Sequence, residues 1–497
     1  MSPPNPTPRL EPSPMQRIVP RPVTVEATGE VYALQPGTAV VAPAGSPEGA
    51  RVAQALAELL AGAAGTDVPV VQEAGNVVLT LGGDHGAEGY QLDVRAEGVR
   101  LVASEPAGLF RGVQTIRQLL GPTAEGADGP AASLPGGRVV DRPRFAYRGA
   151  MLDVARHFFG VEDVERYLDL LALYKINHLH LHLTDDQGWR IEIESWPELT
   201  AQGSRTAVDG DPGGYYTKAD YARIVRYAAE RFITVVPEID MPGHTNAALS
   251  SYGELTCDGV TPPPYTGIEV GFSSLCIDKD VTYRFVDEVL GEVAAMTPGP
   301  YLHIGGDEAK STPHEQYVRF IERVRDIVAA HGKTMVGWEE IAAAKVGPDA
   351  VAEYWNTAEG SDIARRAVEQ GVQVILAPAR HTYFDLKYDE GTALGLEWAG
   401  HVELRDAYDW DPASVVPGVT EANVLGVEAC LWSETLRSFA DVSYMLLPRL
   451  AAFAEVAWTP QERRGWDDFA GRVAGEAARW SASGLHFHRS PGVAWPS

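Results

Sequence analysis

The sequence has few basic residues, few cysteines and no long apolar run. Lys and Arg number 41 against 68 Asp and Glu, which gives a formal net charge of −27. This charge argues against nucleic acid and against an anionic membrane surface as partners, because both bind basic surfaces. No apolar run approaches the ~20 residues of a membrane-spanning helix, so no such helix is expected.

The cysteines and the N-terminus bear on the compartment. Cys257 and Cys276 lie in one Gly/Pro/Ser-rich stretch and could close a disulfide loop, while the alternative is three free thiols. Cys430 lies in an apolar run and is expected to be a buried thiol. Residues 1–21 are rich in proline and lack the apolar core of a signal peptide, which predicts a flexible leader. The chain is therefore either intracellular or written without its export signal.

The 497 residues, 45% of them hydrophobic, are enough for two or three domains. Residues 22–141 predict a small α+β domain with helices over 47–61 and 106–120, and with a hairpin that turns at Glu97-Gly98. No catalytic constellation stands out in it. The Gly/Ala/Pro-rich residues 121–137 are typical of a linker.

From residue 142 to residue 497, short apolar strands alternate with longer amphipathic helices. Helices are predicted over residues 161–174, 218–231, 281–296, 314–330 and 361–370. Eight strands are predicted over residues 148–154, 178–183, 234–238, 301–304, 334–337, 350–354, 373–376 and 425–431. This pattern predicts a (β/α)8 barrel. A doubly wound open sheet is the alternative, weakened by the absence of a Gly-rich phosphate motif after the first strand.

Polar and aromatic residues follow every predicted barrel strand. Because active sites of such barrels lie at the carboxyl ends of the strands, we expect these residues to meet at one face. In strand order they are Asp153 and Arg156; Asp185, Asp186, Trp189 and Arg190; Glu238, Asp240 and His244; Asp307 and Glu308; Trp338, Glu339 and Glu340; Trp355 and Asn356; His381, Tyr383 and Asp385; and Trp432 and Glu434. A purely structural barrel has no reason to repeat this eight times.

Residues 303–308 place two acidic side chains after two glycines at the end of a strand. Glycine allows the close turns that would let Asp307 and Glu308 serve one cavity, although a solvated loop is the alternative. Carboxylates, arginine and tryptophan together suit a sugar, since carboxylates and arginine bond hydroxyls and aromatic rings stack on the C–H face. Each single tryptophan could instead be barrel packing, and Arg156, Asp385 and Glu434 could be surface salt bridges. The spacing of His303, Asp307 and Glu308 matches no zinc motif, so no metal and no cofactor are expected.

Four segments carry a family resemblance. They are residues 153–158 (DVARHF), 182–190 (HLTDDQGWR), 237–244 (PEIDMPGH) and 303–308 (HIGGDE). Together they resemble the family 20 glycoside hydrolases, the β-N-acetylhexosaminidases, and in particular the secreted streptomycete-type enzymes. The resemblance covers the barrel from about residue 142, and the first domain is similar to the small α+β domain that precedes it in that family.

The resemblance implies a substrate-assisted retaining mechanism, in which the acetamido oxygen of the substrate attacks C1. It implies that Glu308 is the general acid and base, that Asp307 orients the acetamide, and that Tyr383 donates to the acetamido oxygen. Trp338, Trp355 and Trp432 would enclose the acetamide and the sugar face, and Trp398 would support the next sugar. Residues implied to bind hydroxyls are Arg156, Glu434 and Asp385, and those implied to support the acidic pair are Asp185, Asp240 and His244.

The function expected from these residues is exo-hydrolysis of N-acetylglucosaminides and N-acetylgalactosaminides, including chitobiose and chitin fragments, with no obligatory protein partner. Two alternatives stay open. One is a conventional retaining glycosidase with Glu339 or Glu434 as nucleophile, and the other is a sugar-binding barrel without catalysis. Secretion is expected from the likeness to secreted enzymes, with a cytoplasmic location as the alternative.

Overall fold

The computed structural model describes residues 14–126, 132–356 and 363–496. They divide into two compact units, the first drawn from residues 14–143, 458–485 and 491–496 and the second from residues 144–457 and 486–490, in each case within the described ranges. The alternation of strands and helices predicts that every residue after 141 belongs to the barrel, whereas residues 458–485 group with the first unit. Within that unit Trp458 Nε1 donates to Asp141 Oδ1 at 2.9 Å, a contact that no periodicity of the local sequence indicates.

The strands, in chain order, are β1 Thr24–Ala33, β2 Val40–Val41, β3 Val70–Val71, β4 Val77–Leu81, β5 Tyr90–Arg95, β6 Gly98–Ala103, β7 Ser133–Asp141, β8 Tyr147–Asp153, β9 His178–His182, β10 Thr184–Asp185, β11 Gly188–Trp189, β12 Thr234–Glu238, β13 Tyr301–His303, β14 Thr334–Trp338, β15 Ala350–Tyr354, β16 Gln373–Leu376 and β17 Val424–Leu431.

The helices are α1 Pro47–Ala64, α2 Pro106–Leu120, α3 Val161–Leu173, α4 Glu198–Ala201, α5 Lys218–Ala229, α6 Asn246–Ser251, α7 Asp280–Met296, α8 His314–Ala330, α9 Ile363–Glu369, α10 Ala379–Thr382, α11 Leu404–Tyr408, α12 Phe439–Leu446, α13 Arg449–Trp458, α14 Trp466–Ala474 and α15 Glu476–Ala482. Among the described residues, none of these helices has the length and apolar content needed to cross a bilayer.

In the first unit, β1 to β7 form one sheet in the order β1-β7-β5-β6-β4-β2-β3, and β5 and β6 form the predicted hairpin. Helix α1 begins where the Ser46 side chain accepts from Gly49 N, and it ends at Gly65 in the left-handed conformation. The predicted linker is wrong for residues 133–137, which belong to β7 and pair with both β1 and β5. Residues 127–131 of that prediction lie outside the described residues.

The predicted leader is also too long. Residues 1–13 of it lie outside the described residues, but Met15, Ile18 and Val19 are buried in the first unit. Val19 N donates to the Gln118 side chain at 2.8 Å, and Gln118 Nε2 donates back to Val19 O. These apolar residues lie between prolines. The high proline content predicts a flexible leader, although this segment packs on α2.

The second unit is a closed parallel barrel in the order β12-β13-β14-β15-β16-β17-β8-β9. This confirms the predicted (β/α)8 fold and excludes the open sheet. Every strand of the barrel lies within a residue or two of its predicted bounds, because nearly continuous apolar runs flanked by polar residues mark buried parallel strands. An apolar cluster that includes Tyr147, Val236 and Val351 packs inside the barrel, and it leaves the carboxyl ends of the strands to the polar residues.

Candidate active site at the carboxyl ends of the barrel strands

The loop after β13 turns both acidic side chains toward one cavity. Gly305 and Gly306 have φ values of 65° and 96°, in the region that favours glycine, and a Cβ on Gly305 would lie 1.8 Å from Asp240 Oδ1. Gly306 N donates to the same Asp240 oxygen at 3.2 Å, which holds the turn in place. Asp307 is buried and Glu308 is partly buried, so the alternative of a solvated loop is wrong.

A cavity of about 310 Å³ opens at this end of the barrel. Of the residues to which the resemblance gives a role, all except Asp185, Asp240 and Trp338 line it. The lining residues are Arg156, His244, Ile268, Val270, Asp307, Glu308, Trp355, Tyr383, Asp385, Leu396, Trp398, Trp432 and Glu434. The barrel closure therefore brings together side chains that the sequence spreads over almost 280 positions, from Arg156 to Glu434.

The aromatic side chains form a wall on one side of the cavity. Trp355 and Tyr383 stack with ring centroids 6.5 Å apart, and Trp398 meets both rings edge-on at 5.9 Å. Trp398 is 54% exposed, which suits contact with a group outside the cavity. Trp338 lies one layer further in, 1% exposed, with its ring 5.8 Å from that of Trp432. Trp338 is therefore packed inside the barrel, as the alternative for a single tryptophan predicts, whereas Trp355, Trp398 and Trp432 line the cavity.

The polar end of the cavity holds Arg156, Asp385 and Glu434. Arg156 Nη2 lies 2.8 Å from Asp185 Oδ2, and its guanidinium stands 4.8 Å over the Trp432 ring. Arg156 and Asp385 are buried and Glu434 is partly buried, so these residues are not surface salt bridges. Among the described residues, Oε2 of Glu434 has no hydrogen-bond partner, and no side chain bonds either oxygen of Asp385. Burial and then the neighbouring Glu434 raise the pKa of Asp385 well above its usual value. Buried oxygens in this state are suited to bond a ligand that carries hydroxyl groups.

His244 connects Asp185 to the acidic pair. Its Nδ1 lies 3.2 Å from Asp185 Oδ1, and its Nε2 lies 3.5 Å from Asp307 Oδ2 and 3.8 Å from Glu308 Oε2. Burial alone would lower the pKa of His244, but Asp185 and Asp307 raise it well above the usual value. Burial raises the pKa of Asp307, and the charge of His244 opposes that rise. Asp185 thus acts behind the cavity surface rather than on it.

Three features of the site were not found from the sequence. Ile268 and Val270 belong to a loop that is closed by a disulfide between Cys257 and Cys276. The predicted disulfide is therefore confirmed, and the alternative that Cys257 and Cys276 are free thiols is wrong. Glu340 accepts the indole N–H of Trp355 at 3.1 Å, and Lys310 Nζ bonds Glu308 Oε1 at 2.8 Å. The cysteine spacing was a signal for the loop. Nothing in the local sequence pairs Glu340 with Trp355.

The described residues also contain groups of side chains that are close enough to hold a cation. Two of them overlap the site, namely Asp185 with Asp186 and His244, and Asp240 with His244 and Asp307. In both, the histidine already lies at 3.2 to 3.5 Å from a carboxylate, an arrangement that also suits direct ion pairs. That the site works without a metal stays a prediction of the sequence.

Comparison with known proteins then decides the family. The model of the catalytic domain of glycosyl hydrolase family 20 matches residues 145–461, and the model of domain 2 of that family matches residues 15–142. The chain belongs to glycoside hydrolase family 20. It is a glycoside hydrolase of the β-N-acetylhexosaminidase type, and family 20 enzymes act by substrate-assisted catalysis.

Relatives within family 20 match the chain over nearly its whole length. A β-N-acetylhexosaminidase of Cellulomonas fimi is 46% identical over 486 residues, which cover 96% of this chain and 97% of the relative. The structure of a Streptomyces plicatus N-acetyl-β-hexosaminidase in complex with Thio-NAglucal superposes with a TM-score of 0.95 at 52% identity, covering 98% of this chain and 99% of that one. A Vibrio harveyi exo-β-N-acetylglucosaminidase in complex with N-acetylglucosamine has a TM-score of 0.85 at 30% identity, covering 96% of this chain and 78% of that one.

Proposed function

We propose that this chain is an exo-acting, retaining β-N-acetylhexosaminidase in which Glu308 is the general acid and base and Asp307 directs the substrate acetamide. One observation carries the assignment. Asp307 and Glu308 face the same cavity, one buried and one partly exposed, and both lie within 4 Å of His244. Such a pair suits a reaction in which the acetamido oxygen of the substrate attacks C1 and breaks the glycosidic bond.

In the first step Glu308 donates its proton to the glycosidic oxygen. The acetamido carbonyl oxygen bonds to C1 as the C1–O bond breaks, and the leaving alcohol departs with the proton from Glu308. Glu308 is left as a carboxylate and the sugar as an oxazolinium ion. Partial exposure supports this role, since the acid must exchange protons with leaving groups and water.

Asp307 accepts the acetamide N–H and stabilises the positive charge that develops on the amide. Its Oδ1 is buried and has no hydrogen-bond partner among the described residues, which supports its availability to the substrate. Tyr383 donates its hydroxyl to the acetamido oxygen. Burial raises the pKa of Tyr383 well above its usual value, so this side chain keeps its proton as a donor. Together the two groups hold the amide in a near-attack geometry.

In the second step the Glu308 carboxylate takes a proton from water while the water oxygen bonds to C1. The C1–O bond to the acetamide breaks, and the product keeps the configuration of the substrate because C1 has been inverted twice. Trp355 and Trp432 limit the entry of other water molecules, and Trp338 supports this wall from behind. Excluding bulk water protects the oxazolinium ion until the correct water attacks.

Arg156, Asp385 and Glu434 bind the ring hydroxyls of the terminal sugar. Their polar atoms line one end of the cavity, and this supports a pocket that holds one terminal residue rather than a continuous chain. Trp398, with its exposed ring, stacks on the next sugar. The substrates are terminal N-acetylglucosamine and N-acetylgalactosamine units, and chitin fragments are one source of them.

A conventional retaining glycosidase needs a second carboxylate as nucleophile, with Glu339 or Glu434 as the candidates. Glu434 lines the cavity on the Arg156 side, where burial raises the pKa of its carboxyl and Arg156 opposes that rise. A thiazoline analogue of the oxazoline separates the two mechanisms. We expect it to inhibit at low concentration, and failure to inhibit would reject the substrate-assisted assignment for this chain.

We also propose that the enzyme acts outside the cytoplasm on carbohydrate alone, with no nucleic acid, membrane or obligatory protein partner. The disulfide between Cys257 and Cys276 supports an oxidising compartment, since such bonds are rare in the cytosol. The net charge of −27 is consistent with the absence of an anionic partner.

The deciding experiment compares an aryl N-acetyl-β-glucosaminide with the matching plain aryl β-glucoside. We expect hydrolysis of the first and essentially none of the second, because only the first carries the acetamide that attacks C1. Activity on the glucoside but not on the glucosaminide would overturn the proposed function.

A further inference from the structure

Glu238 ends β12 in the interior of the barrel, where its side chain is completely buried. Its Oε1 accepts the indole N–H of Trp338 at 3.1 Å. Its Oε2 lies 3.0 Å from His180 Nε2 and also contacts His182 Nδ1. His303 Nδ1 stands 3.1 Å from Oε1. One carboxylate is therefore the common partner of side chains from β9, β13 and β14.

His182 carries this contact outward to the acidic pair. Its other ring nitrogen, Nε2, lies 2.9 Å from Asp185 Oδ2, and Asp185 in turn contacts His244. Because ionised carboxylates only accept hydrogen bonds, a ring held between two of them carries a hydrogen on each nitrogen. Burial alone would lower the pKa of His182, but Glu238 and Asp185 raise it to about 9. The line from Glu238 to His244 is thus held by charge as well as by geometry.

The second contact of Glu238 is with Trp338, which lies behind the acetamide wall, the side of the cavity formed by Trp355 and Trp432. Its indole ring is almost fully buried and lies 5.8 Å from Trp432, which lines the cavity. An indole has one N–H, and here that hydrogen points at Glu238. The rotation of the Trp338 ring is therefore coupled to the position of the same carboxylate that holds His182.

We propose that Glu238 is a positioning residue that sets two parts of the active site at once, the acidic pair through His182, Asp185 and His244, and the acetamide wall through Trp338. This inference rests on the proposed function. Glu238 itself does not touch the substrate. Its effect is on the relative placement of groups that react, where an error of about 1 Å costs on the order of 100-fold in rate.

The first test is Glu238→Gln. The Gln side chain has one oxygen and one NH2 group, so it can accept a hydrogen bond on one side only. Either the contacts with Trp338 and His303 or those with His180 and His182 are lost, because one pair then faces the NH2 group. We expect kcat on the aryl N-acetylglucosaminide to fall about 10- to 100-fold with KM within about threefold, since positioning acts on the transition state. A raised KM with unchanged kcat would reject the proposal.

The matched control is Glu455→Gln. Glu455 is also a fully buried carboxylate, but it lies on α13, outside the barrel strands, where it accepts from the Tyr408 hydroxyl at 3.2 Å. We expect this change to lower the melting temperature while keeping kcat within about threefold. An equal loss of kcat in both variants would show that replacing a buried carboxylate by an amide acts only through stability, and the proposal would fail.

Trp338→Phe tests one branch alone and remains informative if Glu238→Gln does not fold. It keeps a six-membered aromatic ring but removes the five-membered ring of the indole together with its N–H, and we expect kcat to fall with little change in KM. In a double variant with Glu238→Leu, which removes both carboxylate oxygens, the losses should be less than additive, because both substitutions break the contact between Trp338 and Glu238. Additive losses, or a normal kcat for Trp338→Phe, would reject the Trp338 branch. An inactive wild-type protein would instead reject the proposed function, so the two failures are distinguishable.

Discussion

Asp307 and Glu308 are neighbours in the sequence, but their side chains have different surroundings. Asp307 lies against His244, and burial raises the pKa of its carboxyl. The Glu308 side chain is 24% exposed, and Lys310 Nζ lies 2.8 Å from one of its oxygens. A buried group suits a fixed contact with the amide, and a partly exposed group suits proton exchange. The proposed division of tasks therefore rests on the different burial of these two residues.

The role of Glu308 predicts a dependence on the leaving group. Glu308→Gln should lower kcat/KM for a poor, alkyl leaving group by about 10²- to 10⁴-fold, and for an activated aryl leaving group much less, because the latter needs little protonation. The measurement is kcat/KM on the two substrates. Glu315→Gln, an exposed change at the start of α8, is the control and should leave both values unchanged. Equal losses on both substrates would argue against the acid role.

Glu340 predicts a dependence of stability on pH. Burial and then the nearby Asp307 raise its pKa from 4.5 to about 8. Between these values the folded protein holds a proton that the unfolded chain releases, so the free energy of unfolding falls as pH rises, by up to about 1.4 kcal/mol per pH unit. Glu340→Gln removes this loss.

The melting temperature of Glu340→Gln relative to wild type should therefore increase between about pH 5 and about pH 8. The amide oxygen can still accept the Trp355 N–H, which limits other effects of the change. Glu315→Gln again provides the control, since an exposed side chain should show no such trend. A difference that stays constant with pH would contradict the raised pKa.

At the scale of elements, the strands bring the residues to one face and the loops after them orient the side chains. The loop between Cys257 and Cys276 supplies Ile268 and Val270 to the cavity. Thr245 N bonds Ser273 Oγ at 2.9 Å and Leu275 N bonds Pro242 O at 2.9 Å, so the end of this loop is tied to the segment that carries His244. The disulfide thus constrains an element that forms part of the site.

Replacing Cys257 and Cys276 by serine should lower the free energy of unfolding by about 3 kcal/mol, the value expected for a loop of this length. It should also reduce kcat/KM, because Ile268 and Val270 are then less restricted at the cavity. Urea unfolding and steady-state kinetics measure the two effects. A reducing agent should lower the stability of the wild type to that of the double variant and leave the double variant unchanged. A response of the double variant to the reducing agent would contradict the assignment of the effect to this disulfide.

At the scale of the whole molecule, the proposed function requires a cavity that holds one terminal sugar. In the proposed binding mode, Arg156, Asp385 and Glu434 occupy the end where a longer chain would have to continue, and the exposed Trp398 stands at the opening. Blocking a ring hydroxyl there would leave buried polar atoms without partners, which costs about 1–3 kcal/mol for each group. This arrangement favours removal of one sugar at a time.

Exo-action predicts the products. A chitotriose should yield N-acetylglucosamine and chitobiose first, and the same substrate with a methyl group on its non-reducing terminal 4-hydroxyl should not be cleaved. Chromatography of early time points measures both. The unblocked trisaccharide in the same reaction serves as the control for active enzyme, and cleavage of the blocked substrate would contradict the closed pocket.

Much of the second unit was predictable, because each barrel strand is a short apolar run and each polar cluster follows directly after it. The first unit was less predictable. Strand β7 contains Pro135, Gly136 and Gly137, which are typical of loops, and only pairing with β1 and β5 makes it a strand. The exposed strand β1 lacks a clear alternation and was missed for the same reason.

The sequence by itself determined the family, the barrel and the residues that meet at its carboxyl face, because these depend on local motifs and on short apolar runs. Only the tertiary structure decided that Trp338 lies behind the wall and that Glu238 is shared between His182 and Trp338. It also decided that residues 458–485 group with the first unit. Such contacts join residues up to hundreds of positions apart, and they form because the barrel closes and buries the polar groups together, which no local pattern encodes.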